Sequence, residues 1–96
     1  MTEEELNVIL NEANQHYNNK EFELASVKYK KLLEYVPDNG IVCHNLSLSL
    51  IGENKFEEAI LTLDVPIKQG HYESYLSRGA AYRSLGRYHE AINDFV

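Results

Sequence analysis

The residues best suited to chemistry in this chain are its single cysteine and its four histidines. Cys43 and His44 are adjacent, so on a helix their side chains point about 100 degrees apart and cannot form a nucleophile–base pair alone. The histidines lack the His-Glu-x-x-His spacing of zinc sites, and no Cys-x-x-Cys motif accompanies them; they are His16, His44, His71 and His89. The sequence therefore predicts no catalytic residue, no metal site and no cofactor, and we expect that the chain is not an enzyme.

Length and charge limit the remaining classes. With 96 residues and 44% hydrophobic content, the chain can build one small domain with a core. The net charge of -6 disfavours nucleic acid and anionic membranes as partners. One cysteine allows no internal disulfide and suits a reducing compartment, and no apolar run approaches the roughly 18 residues of a transmembrane helix. We expect a cytoplasmic protein.

The hydrophobic period predicts helices throughout the chain. Thr2 and Glu5 have the spacing of a capping box at the start of the first helix. An interior proline costs about 3 kcal/mol in a helix, so we expect the fourth helix to end near Asp64 or Val65 and residues 66–70 to be an irregular connector. The six expected helices lie at about 3–18, 21–35, 41–52, 55–65, 75–86 and from 87 onward.

A short pattern recurs along the chain at nearly constant spacing. An aromatic residue is followed three positions later by an alanine, and both series step by 34 and then by 32 residues; they are Phe22, Phe56 and Tyr88, with Ala25, Ala59 and Ala91. Gly79 and Ala91 are small residues on two consecutive helices. At such positions a larger side chain would push the two helices apart.

The pattern resembles the tetratricopeptide repeat (TPR), whose period is about 34 residues. The last unit carries most of that family's signature in register, with Arg78 in place of the usual leucine; the matching residues are Tyr75, Gly79, Tyr82, Gly86, Tyr88, Ala91 and Phe95. The resemblance implies an all-α fold, a solenoid of six helices in antiparallel pairs that forms a right-handed superhelix. It also implies one domain over 1–96 with units at about 6–39, 40–71 and 72–96.

The third unit is expected to be incomplete, which makes the chain the N-terminal fragment of a longer protein. Its open end should expose apolar side chains and invite self-association; these are Tyr82, Leu85, Ile92 and Phe95.

The resemblance further implies that the first helix of each pair lines a concave groove. The candidate groove residues are rich in amides; they are Asn7, Asn11, Asn14, Tyr17, His44, Asn45, Leu48, Leu76 and Arg83. Amides of this kind can hold the backbone of an extended peptide, or they can be solvated helix surface. A chaperone-type carboxylate clamp is disfavoured, because its basic places are filled by Leu10, Glu73 and Ser77.

Three functions therefore remain, in descending order. The first is a non-enzymatic module that binds a peptide or protein in the groove. The second is a structural or assembly repeat, including a homo-oligomer formed through the C-terminal end. The third is an enzyme that uses Cys43 or the histidines.

Overall fold

The structure, a computed structural model, describes residues 1–95 and is helical throughout; Val96, the last residue of the expected third unit, lies outside that range. The helical segments are α1 (Glu3–Asn18), α2 (Phe22–Tyr35), α3 (Gly40–Gly52), α4 (Phe56–Thr62), α5 (Asp64–Lys68), α6 (Tyr72–Ser84) and α7 (Tyr88–Phe95). Segments α4 and α5 together occupy the place of the fourth expected helix. The all-α, six-helix prediction is confirmed over these residues.

Neighbouring helices pack against one another in chain order, which produces an elongated helical solenoid of 43 × 26 × 17 Å. Each of α2, α3 and α4 contacts its predecessor, α6 packs on α4, and α7 packs on α6. The main core lies where the first four helices meet and combines small residues with larger aliphatic and aromatic side chains; it comprises Ala13, Ala25, Tyr29, Leu32, Val42, Leu46, Leu50 and Ala59. Because the chain is organised by these contacts between neighbours, one face of the helix stack is left open.

Side-chain caps fix where α1 and α3 begin. The Thr2 hydroxyl accepts a hydrogen bond from the Glu5 amide at 3.2 Å, and the Glu5 carboxylate accepts from the Thr2 amide at 3.2 Å, so the predicted capping box is confirmed. Asn39 caps α3 in the same way, with its Oδ1 accepting from the Val42 amide at 3.1 Å. These caps satisfy amides that the helices themselves leave without a partner.

The turns inside the three helix pairs are built alike. Each places one residue in the left-handed region, and these residues are Lys20 (φ 61°), Asn54 (φ 62°) and Gly86 (φ 76°). In each turn the next amide donates to a carbonyl five residues earlier at 2.8 Å, which pairs Glu21 with His16, Lys55 with Leu50, and Arg87 with Tyr82. The turns are spaced by 34 and then 32 residues, which is the spacing of the alanine series.

Glycine at these turns is expected to change stability in a predictable direction. A residue with a Cβ is strained by roughly 1 kcal/mol in the left-handed region, so Lys20→Gly should raise the free energy of unfolding by up to about 1 kcal/mol and Gly86→Ala should lower it by a similar amount. Denaturant unfolding followed by circular dichroism measures both. The control Lys31→Gly, in the interior of α2, should be destabilising by roughly 1 kcal/mol. A Lys20→Gly variant no more stable than the parent chain would contradict the turn geometry.

The expectation of an irregular connector at 66–70 is wrong, since Asp64–Lys68 is helical. The chain breaks its helix at Leu63 instead, where φ is -76° and ψ is -10°, and α4 ends at Thr62. Pro66 then stands third in α5, within the first turn, where an amide would have no partner inside that helix. The buried Pro66 therefore begins a helix rather than interrupting one.

Candidate functional site

A cavity of about 300 Å³ opens where α1, α2 and α3 meet. We call it the amide cavity, because amide side chains form much of its wall; it is lined by Asn14, Tyr17, Asn18, Tyr29, Asn45 and Leu48. Four of the nine expected groove residues are brought together here, namely Asn14, Tyr17, Asn45 and Leu48. α1 and α3 form its walls and α2 its floor.

Tyr29 and Asn18 belong to this cavity and were not among the expected site residues. The Tyr29 ring is buried, and its hydroxyl donates a hydrogen bond to Asn14 Oδ1. Burial raises the pKa of Tyr29 to about 12, so the hydroxyl stays protonated and remains a donor at neutral pH. Asn18 lies four residues after Asn14, on the same face of α1. The four-residue spacing of Asn14 and Asn18 is visible in the sequence, whereas the sequence does not show that Tyr29 extends from α2 into the cavity.

A second cavity of about 260 Å³ lies farther along the junction of α1 and α3, toward the start of both helices, and we call this junction the seam. We call it the aliphatic cavity, since five of its lining residues are leucine or valine; it is lined by Glu3, Leu6, Asn7, Leu10, Leu32, Val36, Asn39 and Val42. Asn7 was expected in the groove and is found here. Residues 6, 10, 14 and 18 follow at four-residue intervals on α1, so the two cavities share one helix face.

The other expected groove residues lie apart from this seam. Leu76 lines a separate cavity of about 500 Å³ between α6 and α7, with Tyr72, Glu73, Tyr75, Asn93, Asp94 and Phe95. Asn11 and Arg83 are exposed on α1 and α6, outside the amide and aliphatic cavities.

His44 is buried between α3 and α6 and does not line either cavity of the seam. Its Nδ1 is 2.9 Å from the hydroxyl oxygen of Ser74, and its ring centroid is 4.7 Å from that of His71. Burial lowers the pKa of His44, the nearby His71 lowers it further, and Glu73 acts in the opposite direction. The side chain therefore joins α3 to α6.

The expected helix-packing residues are all buried. Ala25, Ala59 and Ala91 occupy equivalent places, and in each the amide donates to the carbonyl four residues earlier. At Gly79, a Cβ would lie 2.6 Å from the Phe95 ring, so glycine allows this close approach of α6 and α7. Ala13, Ser47 and Gly79 form a further buried series with the same 34 and 32 spacing, of which only Gly79 was among the expected packing residues.

Groups suited to other chemistry are scarce. Over residues 1–95, no cluster of three or more His, Cys, Asp or Glu side chains is arranged to hold a metal ion. Cys43 is buried, and that burial, followed by the charge of Asp38, raises the pKa of its thiol. Within the same residues, no helix has the length and hydropathy needed to cross a membrane.

Equivalent helix–turn–helix pairs, stacked so that one seam stays open, define a helical-repeat protein. Residues 72–96, which are 25 of the 96, match the tetratricopeptide repeat family. Together with the repeating helical fold, this match supports a tetratricopeptide repeat protein. A search among curated proteins gave no match. Tetratricopeptide repeats are typically non-catalytic protein-interaction modules, and the match supports an interaction module in general.

Proposed function

We propose that this chain binds an extended peptide of a partner protein along the seam of α1 and α3, and that it does so as one domain of three repeat units. The observation that carries the proposal is the convergence of Asn14, Asn45, Tyr17 and Leu48 on one open cavity. The three identical turns support the division into units, because each closes with the same hydrogen bonds. A groove of this kind suits a ligand without its own fold, which can follow the seam.

The amide cavity offers hydrogen bonds of both kinds to a peptide backbone. Asn14 Oδ1 already accepts from Tyr29, so its Nδ2 supplies donors toward a ligand carbonyl. Asn45 lines the same cavity from α3, and its side-chain amide can both donate and accept. Leu48 adds apolar surface beside them. These groups recognise an extended backbone without demanding one particular side chain.

Selection from a random peptide library displayed on phage tests the proposal, followed by fluorescence anisotropy with the selected peptides. Asn45→Ala should weaken binding at least tenfold, because losing an amide leaves a buried ligand group unpaired. Gln15→Ala is the matched control, since it removes an exposed amide from another face of α1. Asn45 is preferred to Asn14, whose loss would also disturb Tyr29. Absence of any binder, or equal binding by Asn45→Ala and the parent chain, would overturn the proposal.

Self-assembly is the alternative, and the exposed apolar face of α7 favours it. Tyr88, Ile92 and Phe95 are 62%, 57% and 46% exposed, and contiguous apolar surface of this kind often marks an interface. Light scattering across a concentration series distinguishes the two functions. A mass that rises with concentration and returns to the monomer in Ile92→Glu would support assembly, whereas a constant monomer mass would contradict it.

A further inference from the structure

We propose that the seam selects a basic peptide: an aliphatic side chain enters the aliphatic cavity beside a cationic residue, while the amide cavity holds the backbone three to four residues away. This inference rests on the proposed function and adds the chemistry of the ligand. The feature that carries it is the pairing, along one helix face, of two cavities with different linings and one acidic mouth.

The two cavities differ in what they can accept. The aliphatic cavity has leucine or valine on all three of its helices, with Leu6 and Leu10 on α1, Leu32 on α2 and Val42 on α3; Val36, directly after α2, adds a fifth. With five aliphatic residues among the eight that line it, this cavity favours an aliphatic side chain over a polar one. The amide cavity presents amides and a phenol instead, so a peptide backbone or a polar side chain fits there. A ligand that fills both must change character along its length.

Helix geometry sets the separation between the two contacts. Below Glu3 at its mouth, the α1 wall of the aliphatic cavity is formed by Leu6, Asn7 and Leu10, which centre near position 8, and the α1 residues of the amide cavity centre near position 16. At 1.5 Å per residue the two centres are roughly 12 Å apart along the helix. An extended peptide advances about 3.3 Å per residue, so it covers this distance in three to four residues.

Charge at the mouth of the aliphatic cavity selects the sign of the ligand. Glu3 lines that cavity and is exposed, and no lysine or arginine lines either cavity over residues 1–95. Its full negative charge exceeds the positive end of the α1 dipole, which amounts to about half a charge.

The surrounding charges point the same way. Residues 1–39 hold eight acids and four lysines. Lys28 is 3.5 Å from Glu12, one of those eight acids, and Lys30 is 2.9 Å from Glu58, so seven acids and two lysines of this stretch remain. The field at the seam therefore attracts a cation and repels a carboxylate, the reverse of what a carboxylate clamp requires.

The same phage library provides the test, with the parent chain, Glu3→Lys and Glu4→Lys each used as bait. The two variants change the net charge equally and lie in the same helical turn, but only Glu3 lines the cavity. We expect parent-selected peptides to carry a lysine or arginine next to an aliphatic residue. Their affinity for Glu3→Lys should fall about fivefold to tenfold, with less than a twofold change for Glu4→Lys. Circular dichroism verifies that both variants fold.

The outcomes separate this inference from the proposed function. Peptides that lose affinity to Asn45→Ala but show no basic preference, or that bind Glu3→Lys and Glu4→Lys equally, would overturn the basic-peptide inference and leave groove binding intact. Enrichment of acidic peptides would overturn it as well. A library that yields no binder would overturn both. A selective loss of affinity in Glu3→Lys that becomes smaller as salt is added would support it.

Discussion

Replacing Arg78 with alanine is expected to destabilise the docking of α7 on α6 by about 3 kcal/mol. Arg78 donates two hydrogen bonds to Asp94, from Nε to Oδ2 at 2.9 Å and from Nη2 to Oδ1 at 2.7 Å. The Asp94 side chain is only 5% exposed and that of Arg78 is 22% exposed. Without the guanidinium, a nearly buried carboxylate would have no counter-ion, which is the costly way to break an ion pair. Amide hydrogen exchange measured along α7 reports the loss directly, because this terminal pair opens locally.

A compensating variant distinguishes this ion pair from general packing. Removing both charges in Arg78→Leu/Asp94→Leu should recover most of the loss, since leucine is the usual residue of the family at the first position and a buried pair can be replaced by apolar contact. Arg83→Ala is the matched control: it removes the same charge from an exposed site on the same helix and should change stability by less than about 0.5 kcal/mol. Equal effects of Arg78→Ala and Arg83→Ala would contradict a structural role for the pair.

The fold was predictable because its signals are local and repeated. Apolar residues at helical spacing, the capping box at Thr2 and the alanine series each point to helices in register, and neighbouring helices pack in chain order. Contacts of this kind depend on short stretches of sequence, so a propensity argument captures them. The sequence shows that Arg78 departs from the family signature. It does not show that Asp94, sixteen residues later, pairs with it, because that contact depends on how α7 packs beside α6.

The error at Pro66 has a physical cause, which is that the cost of a proline depends on where the helix breaks. Pro66 was treated as interior to a helix, whereas a break at Leu63 places it in a first turn where proline is tolerated. Lys20 occupies a left-handed position that its residue type does not indicate, whereas asparagine, found at position 54, is one of the non-glycine residues enriched in this region. The repeating pattern is the better guide at these sites, since Gly86 marks the same position in the third turn.

The site was only partly readable from the sequence. Four expected groove residues meet at the amide cavity because helix periodicity places them on facing sides of α1 and α3. His44 was expected to face the groove, but its environment is set by α6, a helix whose approach the period of α3 alone does not specify. The division of the seam into an aliphatic and an amide cavity also required the structure, since residues of α2 contribute to both.

The stability of the chain is expected to fall as the pH is lowered below about 6.5, and His44 is the reason. Ser74 is buried, and its hydroxyl lies 2.9 Å from His44 Nδ1 and 2.8 Å from His71 Nδ1. One hydroxyl can donate to only one of these nitrogens, so the other ring must donate to it. Two protonated rings would leave the hydroxyl proton without an acceptor and place two positive charges on rings whose centroids are 4.7 Å apart.

The direction follows from the lowered pKa of His44, which burial causes and His71 reinforces against the opposing charge of Glu73. Between the folded-state pKa and the usual value of 6.5, the unfolded chain binds more protons than the folded one, so the free energy of unfolding rises with pH in that window. The contribution is complete above the usual value and is lost as the pH falls through the window. Each unit by which folding lowers the pKa of His44 corresponds to about 1.4 kcal/mol in the free energy of unfolding.

Denaturant unfolding of the parent chain across this pH range measures the slope, and two glutamine variants assign it. His44→Gln replaces the imidazole with a neutral amide that can still bond Ser74, so the pH dependence should flatten while stability at neutral pH is largely kept. His89→Gln is the control, because His89 is exposed on α7, and it should leave the slope unchanged. If His44→Gln retained the full pH dependence, His44 would not be the group responsible for it.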